Sequence, residues 1–122
     1  MNVYRKRENY KYGVLAENKV ANHFKVKGYT VLKQRYKTQY GEIDLILQKG
    51  DELIFLEVKA RSKMQGEDLV SKTQKERNCM AALYFLSEFP AYSEKEIRFD
   101  CIFLDRSGRF KYFQNAWEMI PY

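Results

Sequence analysis

A chain of 122 residues, 45% hydrophobic, 16% aromatic and with only two prolines, has the size and composition of one globular domain able to bury its own core. Its formal charge of +6 and pI near 9.3 favour an anionic partner without naming one. No run approaches the roughly 18 apolar residues of a membrane span, and the basic start Met1-Asn2-Val3-Tyr4-Arg5-Lys6-Arg7 lacks the apolar stretch of a secretory signal, so a cytoplasmic protein with no membrane partner is expected. Cys79 and Cys101 lie in apolar segments without metal-type spacing, which reads as two buried, reduced thiols.

Residues 1–11 read as a basic, tyrosine-containing arm preceding a single domain over 12–122. The spacing of Val14, Ala16, Val20, Ala21 and Phe24 predicts a helix over 12–27, stopped by Gly28. Glu17 falls near the centre of that apolar stripe. A carboxylate there requires a metal, a hydrogen bond to a core backbone group, or a locally open groove. His23, the only histidine, reads as a packed or solvated side chain. A strand over 29–34 follows, then a loop over 35–40 that carries Arg35, Lys37 and two tyrosines.

The next segment is the most informative. Residues 43–48 alternate, placing Ile43, Leu45 and Leu47 on one face and Glu42, Asp44 and Ile46 on the other. Residues 53–60 also alternate, with Leu53, Phe55, Glu57 and Lys59 sharing a face. Gly50-Asp51 between the two runs suits a two-residue turn with glycine first. Pairing Lys49 with Glu52 across that turn sets Asp44 opposite Glu57. Two carboxylates about 5 Å apart repel, and a divalent cation between them turns the repulsion into a binding site. Oxygen ligands suit magnesium or manganese. Lys59 projects from the face of Glu57, within reach of a metal-bound water.

A polar stretch, 62–68, leads to a long helix predicted over 72–89 and ended by Pro90. Ser71-x-x-Gln74 at its start is a good capping box. A strand over 98–105, a turn over 106–109 and a short strand over 110–113 complete the chain. The order α-β-β-β-α-β-β is that of an α/β fold with a central mixed sheet flanked by helices. Arg5, Lys6, Arg7, Lys33, Arg35, Lys37, Arg61, Lys63, Lys72, Lys75 and Arg77 flank the acidic pair, with Tyr36 and Tyr40 interleaved. Such residues contact phosphates without reading bases, and no helix-turn-helix or zinc-finger signature supplies base readout.

Gly13-x-x-Ala16-Glu17, Gly28-Tyr29-x-Val31-Leu32, the run from Gly41 to Ile46, Glu57-Val58-Lys59-Ala60-Arg61, Ala81-Ala82-x-Tyr84-x-Leu86, Arg98-Phe99-Asp100 and Asn115-Ala116-Trp117 together resemble the YraN-type family. These small bacterial proteins are predicted endonucleases of the restriction-endonuclease-like PD-(D/E)XK superfamily. The resemblance covers roughly residues 12–118. It implies that Asp44 is the first motif's aspartate, although isoleucine rather than proline precedes it. Glu57 and Lys59 are the (D/E)XK pair, and Glu17 is an additional acidic ligand. Relatives carry a lysine seven residues before the Ala-Ala pair, whereas this chain has Gln74.

The leading expectation is a magnesium- or manganese-dependent DNA endonuclease, structure-directed or weakly sequence-specific, acting in recombination or repair. Its catalytic set is Asp44, Glu57, Lys59 and Glu17; the three carboxylates hold the metal. Arg35, Lys37, Arg61, Lys63, Lys72, Gln74 and Lys75 face nucleic acid. Relatives that resolve branched DNA imply a homodimer by analogy. The alternatives are a nucleic-acid-binding module without independent activity, and an adaptor for a helicase or repair protein.

Overall fold

Glycine, proline and capping residues punctuate the chain where the sequence places them. The computed structural model describes the backbone of residues 3–61 and 70–119, and the side chains of residues 11–60 and 70–119. Helix α1 spans Val3–Val26 and strand β1 Thr30–Lys37. Strands β2 (Glu42–Lys49) and β3 (Glu52–Arg61) form the expected hairpin. Helix α2 spans Lys72–Glu88, and strands β4 (Glu96–Asp105) and β5 (Phe110–Trp117) follow. Gly28 ends α1 at φ 92, in the left-handed region where only glycine is unstrained. Pro90 opens a 3-10 turn just beyond α2, because it has no N–H with which to continue the helix.

The largest differences from the sequence reading lie at three boundaries. Helix α1 begins at Val3, so the run expected to be an arm is helical in continuity with it. Residues 3–11 contain no glycine or proline, and their arginines and lysines are good helix formers. Strand β1 continues to Lys37, through residues expected to form a loop, because its ladder with β2 runs on to the pair Lys37↔Glu42. Strand β5 reaches Trp117, which pairs with Phe99 after an irregularity between Phe99 and Cys101. Both β1 and β5 are edge strands, whose exposed and charged residues carry no strict alternation to read.

The sheet order is β1-β2-β3-β4-β5. Neighbours are antiparallel except β3 and β4, which run parallel and are joined across one face by α2. Helix α2 buries Cys79, Ala81, Ala82 and Phe85 against Ile46, Leu53, Phe55 and Phe99. On the other face, α1 buries Ala16, Val20, Ala21 and Phe24 against Leu45, Leu47, Ile54 and Leu56. Cys79 and Cys101 are both buried, as read. Ile43 is a correction: it joins Ile46 in the α2-side cluster rather than Leu45 and Leu47. The β2–β3 ladder stops at Leu45↔Leu56, and the alternation fails just past that point.

One buried ion pair braces the far side of the sheet. Asp100 is fully buried and accepts from the Arg98 guanidinium, from the Tyr112 hydroxyl and from the Asn115 N–H, the last at 2.8 Å. Arg98 Nη1 also donates to Glu52 Oε2 at 2.6 Å, so β3, β4 and β5 are tied together by a charge whose hydrogen-bonding capacity is met. Among the described residues, no helix is long and apolar enough to cross a membrane.

Candidate active site

The expected hairpin register is the observed one. Lys49 pairs with Glu52, and Gln48 with Leu53. Gly50 has φ 57 while Asp51 does not share the left-handed region, the pattern of a type II′ turn. The ladder ends at Leu45↔Leu56, one residue short of Asp44 and Glu57. Asp44 Oδ2 accepts the Val58 N–H at 2.8 Å, so the aspartate is pinned to β3 by its side chain where the backbone ladder ends. The two carboxyl groups lie close enough to act on each other electrostatically. Asp44 keeps some exposure, whereas Glu57 is only 5% exposed.

Burial, and then the charge of Glu57, push the Asp44 carboxyl up to about 8. Glu57 is raised by burial as well, with the Lys59 ammonium and the Asn78 amide acting against that rise. Lys59 Nζ stands 3.4 Å from Glu57 Oε1, on the same face, as the alternation predicted. It also donates to Gln74 Oε1 at 2.7 Å. Gln74 in turn donates its side-chain N–H to Glu57 Oε1, and Asn78 Nδ2 approaches Glu57 Oε2 at 3.4 Å.

Gln74 therefore holds two posts. Ser71 caps α2, its hydroxyl accepting the Gln74 backbone N–H at 3.1 Å. The glutamine side chain does not complete a reciprocal box but bridges Glu57 and Lys59. Asn78 was missed by the sequence reading. Its signal was present: one turn beyond Gln74, it is a polar residue beside the buried run Cys79, Ala81 and Ala82.

Glu17 reaches the site from the opposite face of the sheet. It is 7% exposed, and burial followed by the Asp44 charge raises its carboxyl to about 7. Its Oε1 makes no hydrogen bond among the described residues, although Arg35 Nε lies 3.6 Å away. The same guanidinium is 3.8 Å from Glu42 Oε1. Arg35 adopts φ 55 inside β1, a conformation uncommon for a residue with a side chain and one that collects at functional sites. The arginine expected to face nucleic acid thus faces two glutamates. Among the described residues, no three or more His, Cys, Asp or Glu side chains are grouped so as to hold an ion together. The geometry joins Asp44 and Glu57, and sets Glu17 near them but turned to Arg35.

The donor chemistry fits a hard divalent cation. Asp44 and Glu57 set two largely desolvated carboxyl groups side by side, hard oxygen donors of the kind that would suit magnesium or manganese. Buried Glu17 offers a further oxygen free of hydrogen bonds among the described residues.

Beside the pair, a groove of about 590 Å³ is lined by Lys37, Thr38, Gly41, Glu42 and, from α2 and its cap, Ser71, Thr73, Gln74, Arg77 and Asn78. Lys37 and Gln74, expected to face nucleic acid, are among its lining residues. Lys72 is exposed at the start of α2. Lys75 turns away, its ammonium 6.0 Å from the Trp117 ring centre. Lys63 and the side chain of Arg61 lie outside the described residues. His23 packs on Phe24 and Phe110, remote from the acidic pair in its contacts.

Comparison with known proteins adds a family. Residues 16–104 match the model of "Uncharacterised protein family UPF0102". The chain is 36% identical over 110 residues to a UPF0102 protein of Ruegeria pomeroyi, covering 89% of each chain. It is 31% identical over 116 residues to one of Azorhizobium caulinodans, covering 94% of this chain and 88% of that one. With a UPF0102 protein of Acinetobacter baylyi it shares 38% identity over 96 residues, 76% of this chain and 69% of the other. Among solved structures, it is similar to Pyrococcus furiosus SfsA in complex with Ca2+. That likeness has TM-score 0.30 and 13% identity, covering 90% of this chain and 63% of that one.

Proposed function

We propose, from the premise that this chain belongs to the uncharacterised protein family UPF0102, that it hydrolyses phosphodiester bonds of DNA with magnesium or manganese. The observation that carries this reading is the side-by-side pair Asp44 and Glu57, with the Lys59 ammonium 3.4 Å from Glu57 and a groove lined by Lys37 and Arg77 alongside. A cation held through Asp44 and Glu57 supplies Lewis acidity toward a phosphate oxygen and acidifies a bound water.

The remaining roles belong to the chain itself. Lys59 sits where it orients a water or pairs with the charge that develops on phosphorus. Gln74 fixes Lys59 by accepting from it and fixes Glu57 by donating to it, so neither long side chain is left to wander. Asn78 holds the second oxygen of Glu57. Arg35 neutralises Glu17 and Glu42, which would otherwise repel a phosphate approaching from the groove. A second reading, a nucleic-acid-binding module without independent activity, draws support from Gln74 at the family's lysine position and from the lack of a three-carboxylate group among the described residues.

The test is a cleavage screen of single-stranded, duplex, flap and four-way DNA with magnesium, manganese or EDTA. Cleavage with metal that EDTA stops supports hydrolysis. Binding to the same substrates without cleavage, and no heat from manganese titration, supports the module.

A further inference from the structure

The proposed reading leaves the form of the DNA open, and a pair of tyrosines beside the groove bears on it. Tyr40 lies between Thr38 and Gly41, two residues that line the groove. Thr38 Oγ1 accepts the N–H groups of Tyr40 and Gly41, each at 3.0 Å, which folds this turn tightly and leaves the Tyr40 ring 42% exposed. Tyr84 is 37% exposed, seven residues past Arg77 and so on the same face of α2. The rise of a helix places it about 10 Å beyond that arginine. The two rings are 6.0 Å apart and inclined at 57°, a tilted pair rather than a stacked one.

The two tyrosines and the groove form one continuous surface. A Cβ added at Gly41 would come within 2.9 Å of Arg77 Cβ and 3.0 Å of Arg77 O, so the Thr38–Gly41 turn rests directly on α2. Lys37 and Arg77 supply the positive charge of the groove, and Glu42, the one acid among its lining residues, faces Arg35. A strip therefore runs from the acidic pair past two cations to two exposed aromatic rings.

Cations followed by open aromatic faces suit a nucleic-acid strand whose phosphates lie in the groove and whose base stacks on tyrosine. Inside a continuous duplex every base face is already covered by its neighbours, and only an unpaired nucleotide has a face to offer. We infer that Tyr40 and Tyr84 form a stacking platform for an unpaired nucleotide at the far end of this groove from the acidic pair, so that the substrate carries single-stranded DNA at this position. This inference rests on the nucleic-acid reading of the groove but not on catalysis.

The experiment is fluorescence anisotropy in EDTA, where no cleavage intervenes, with a labelled single strand and a blunt duplex of equal length. Tyr40→Ala and Tyr84→Ala should each weaken single-strand binding about 10-fold, within the range of one lost base stack. Tyr40→Phe and Tyr84→Phe keep the ring and should bind within about 2-fold of the parent. Leu83→Ala, an exposed neighbour on α2, controls for surface truncation, and melting curves control for folding. Duplex binding should be unchanged in all five variants. Unchanged single-strand binding in both alanine variants, or an equal loss on duplex, overturns the platform. Because these assays contain no metal, a platform that holds while the cleavage screen stays blank refutes catalysis alone, and the converse refutes the platform alone.

Discussion

Gln74 shows how much one side chain holds in place. It donates to a carboxylate that is 5% exposed and accepts from the ammonium beside it, while its own backbone N–H closes the helix cap. Gln74→Ala leaves the cap intact but removes a donor from Glu57 and an acceptor from Lys59. The expected cost is about 1–3 kcal/mol, the usual penalty for a buried group that loses its partner, measured by urea denaturation in EDTA. A change below about 0.5 kcal/mol would mean that water replaces the amide. Asp44 gives a pH prediction whose sign follows from its raised carboxyl. A folded-state value near 8 against an ordinary 3.8 means that its contribution to stability is fully present below about pH 4 and is lost as pH rises toward 8. Glu17, at about 7, adds to the same trend. The metal-free parent should therefore lose stability relative to Asp44→Asn between pH 5 and pH 8. Denaturation of both proteins in EDTA across that range checks it, and parallel curves would contradict it. Metal affinity of the parent should rise over the same window, because bound metal displaces the proton.

At the scale of elements, the site depends on how closely α2 lies on the start of β2. Gly41 lies where an alanine Cβ would meet backbone as well as side-chain atoms of Arg77. Gly41→Ala should push α2 outward and destabilise the protein by about 1–3 kcal/mol, the range for overpacking a tight contact. Because Gln74 and Asn78 ride on α2, the same change should weaken manganese binding in calorimetry. A variant with parental stability and affinity would show that the turn yields instead. The β2–β3 hairpin was legible in the sequence because a two-residue glycine turn fixes register, and register fixes which side chains oppose. Asp44, Glu57 and Lys59 followed from that alone. Edge strands gave no such lever: β1 extends to Lys37 and β5 to Trp117 through residues without a buried face. The left-handed Arg35 and its turn toward Glu17 were beyond reach, since neither composition nor period signals a kink within a strand. Asn78 stood out as a polar residue beside the buried run of α2, but its partner Glu57 follows only once α2 is laid on the sheet.

For the whole molecule, charge and the sheet's two-sided packing combine. A chain of net charge +6 holds its buried acids where β2 and β3 part, between a helix on either face, and keeps Lys37 and Arg77 along the groove that leads there. Binding to nucleic acid should then weaken with salt, each phosphate contact adding a slope of about −0.9 in log K against log salt on duplex DNA. Anisotropy titrations from low to physiological salt measure it. A binding constant indifferent to salt would point to a partner of another kind.

The central claim is that Asp44 and Glu57 form a metal-dependent hydrolytic centre, and the most direct test is a cleavage time course with the parent and Asp44→Ala purified side by side. With manganese and the best substrate of the screen, the parent should cut, and Asp44→Ala should bind the DNA but fall in rate by orders of magnitude. Equal rates for the two proteins, or no cleavage by the parent on any substrate, would contradict the account.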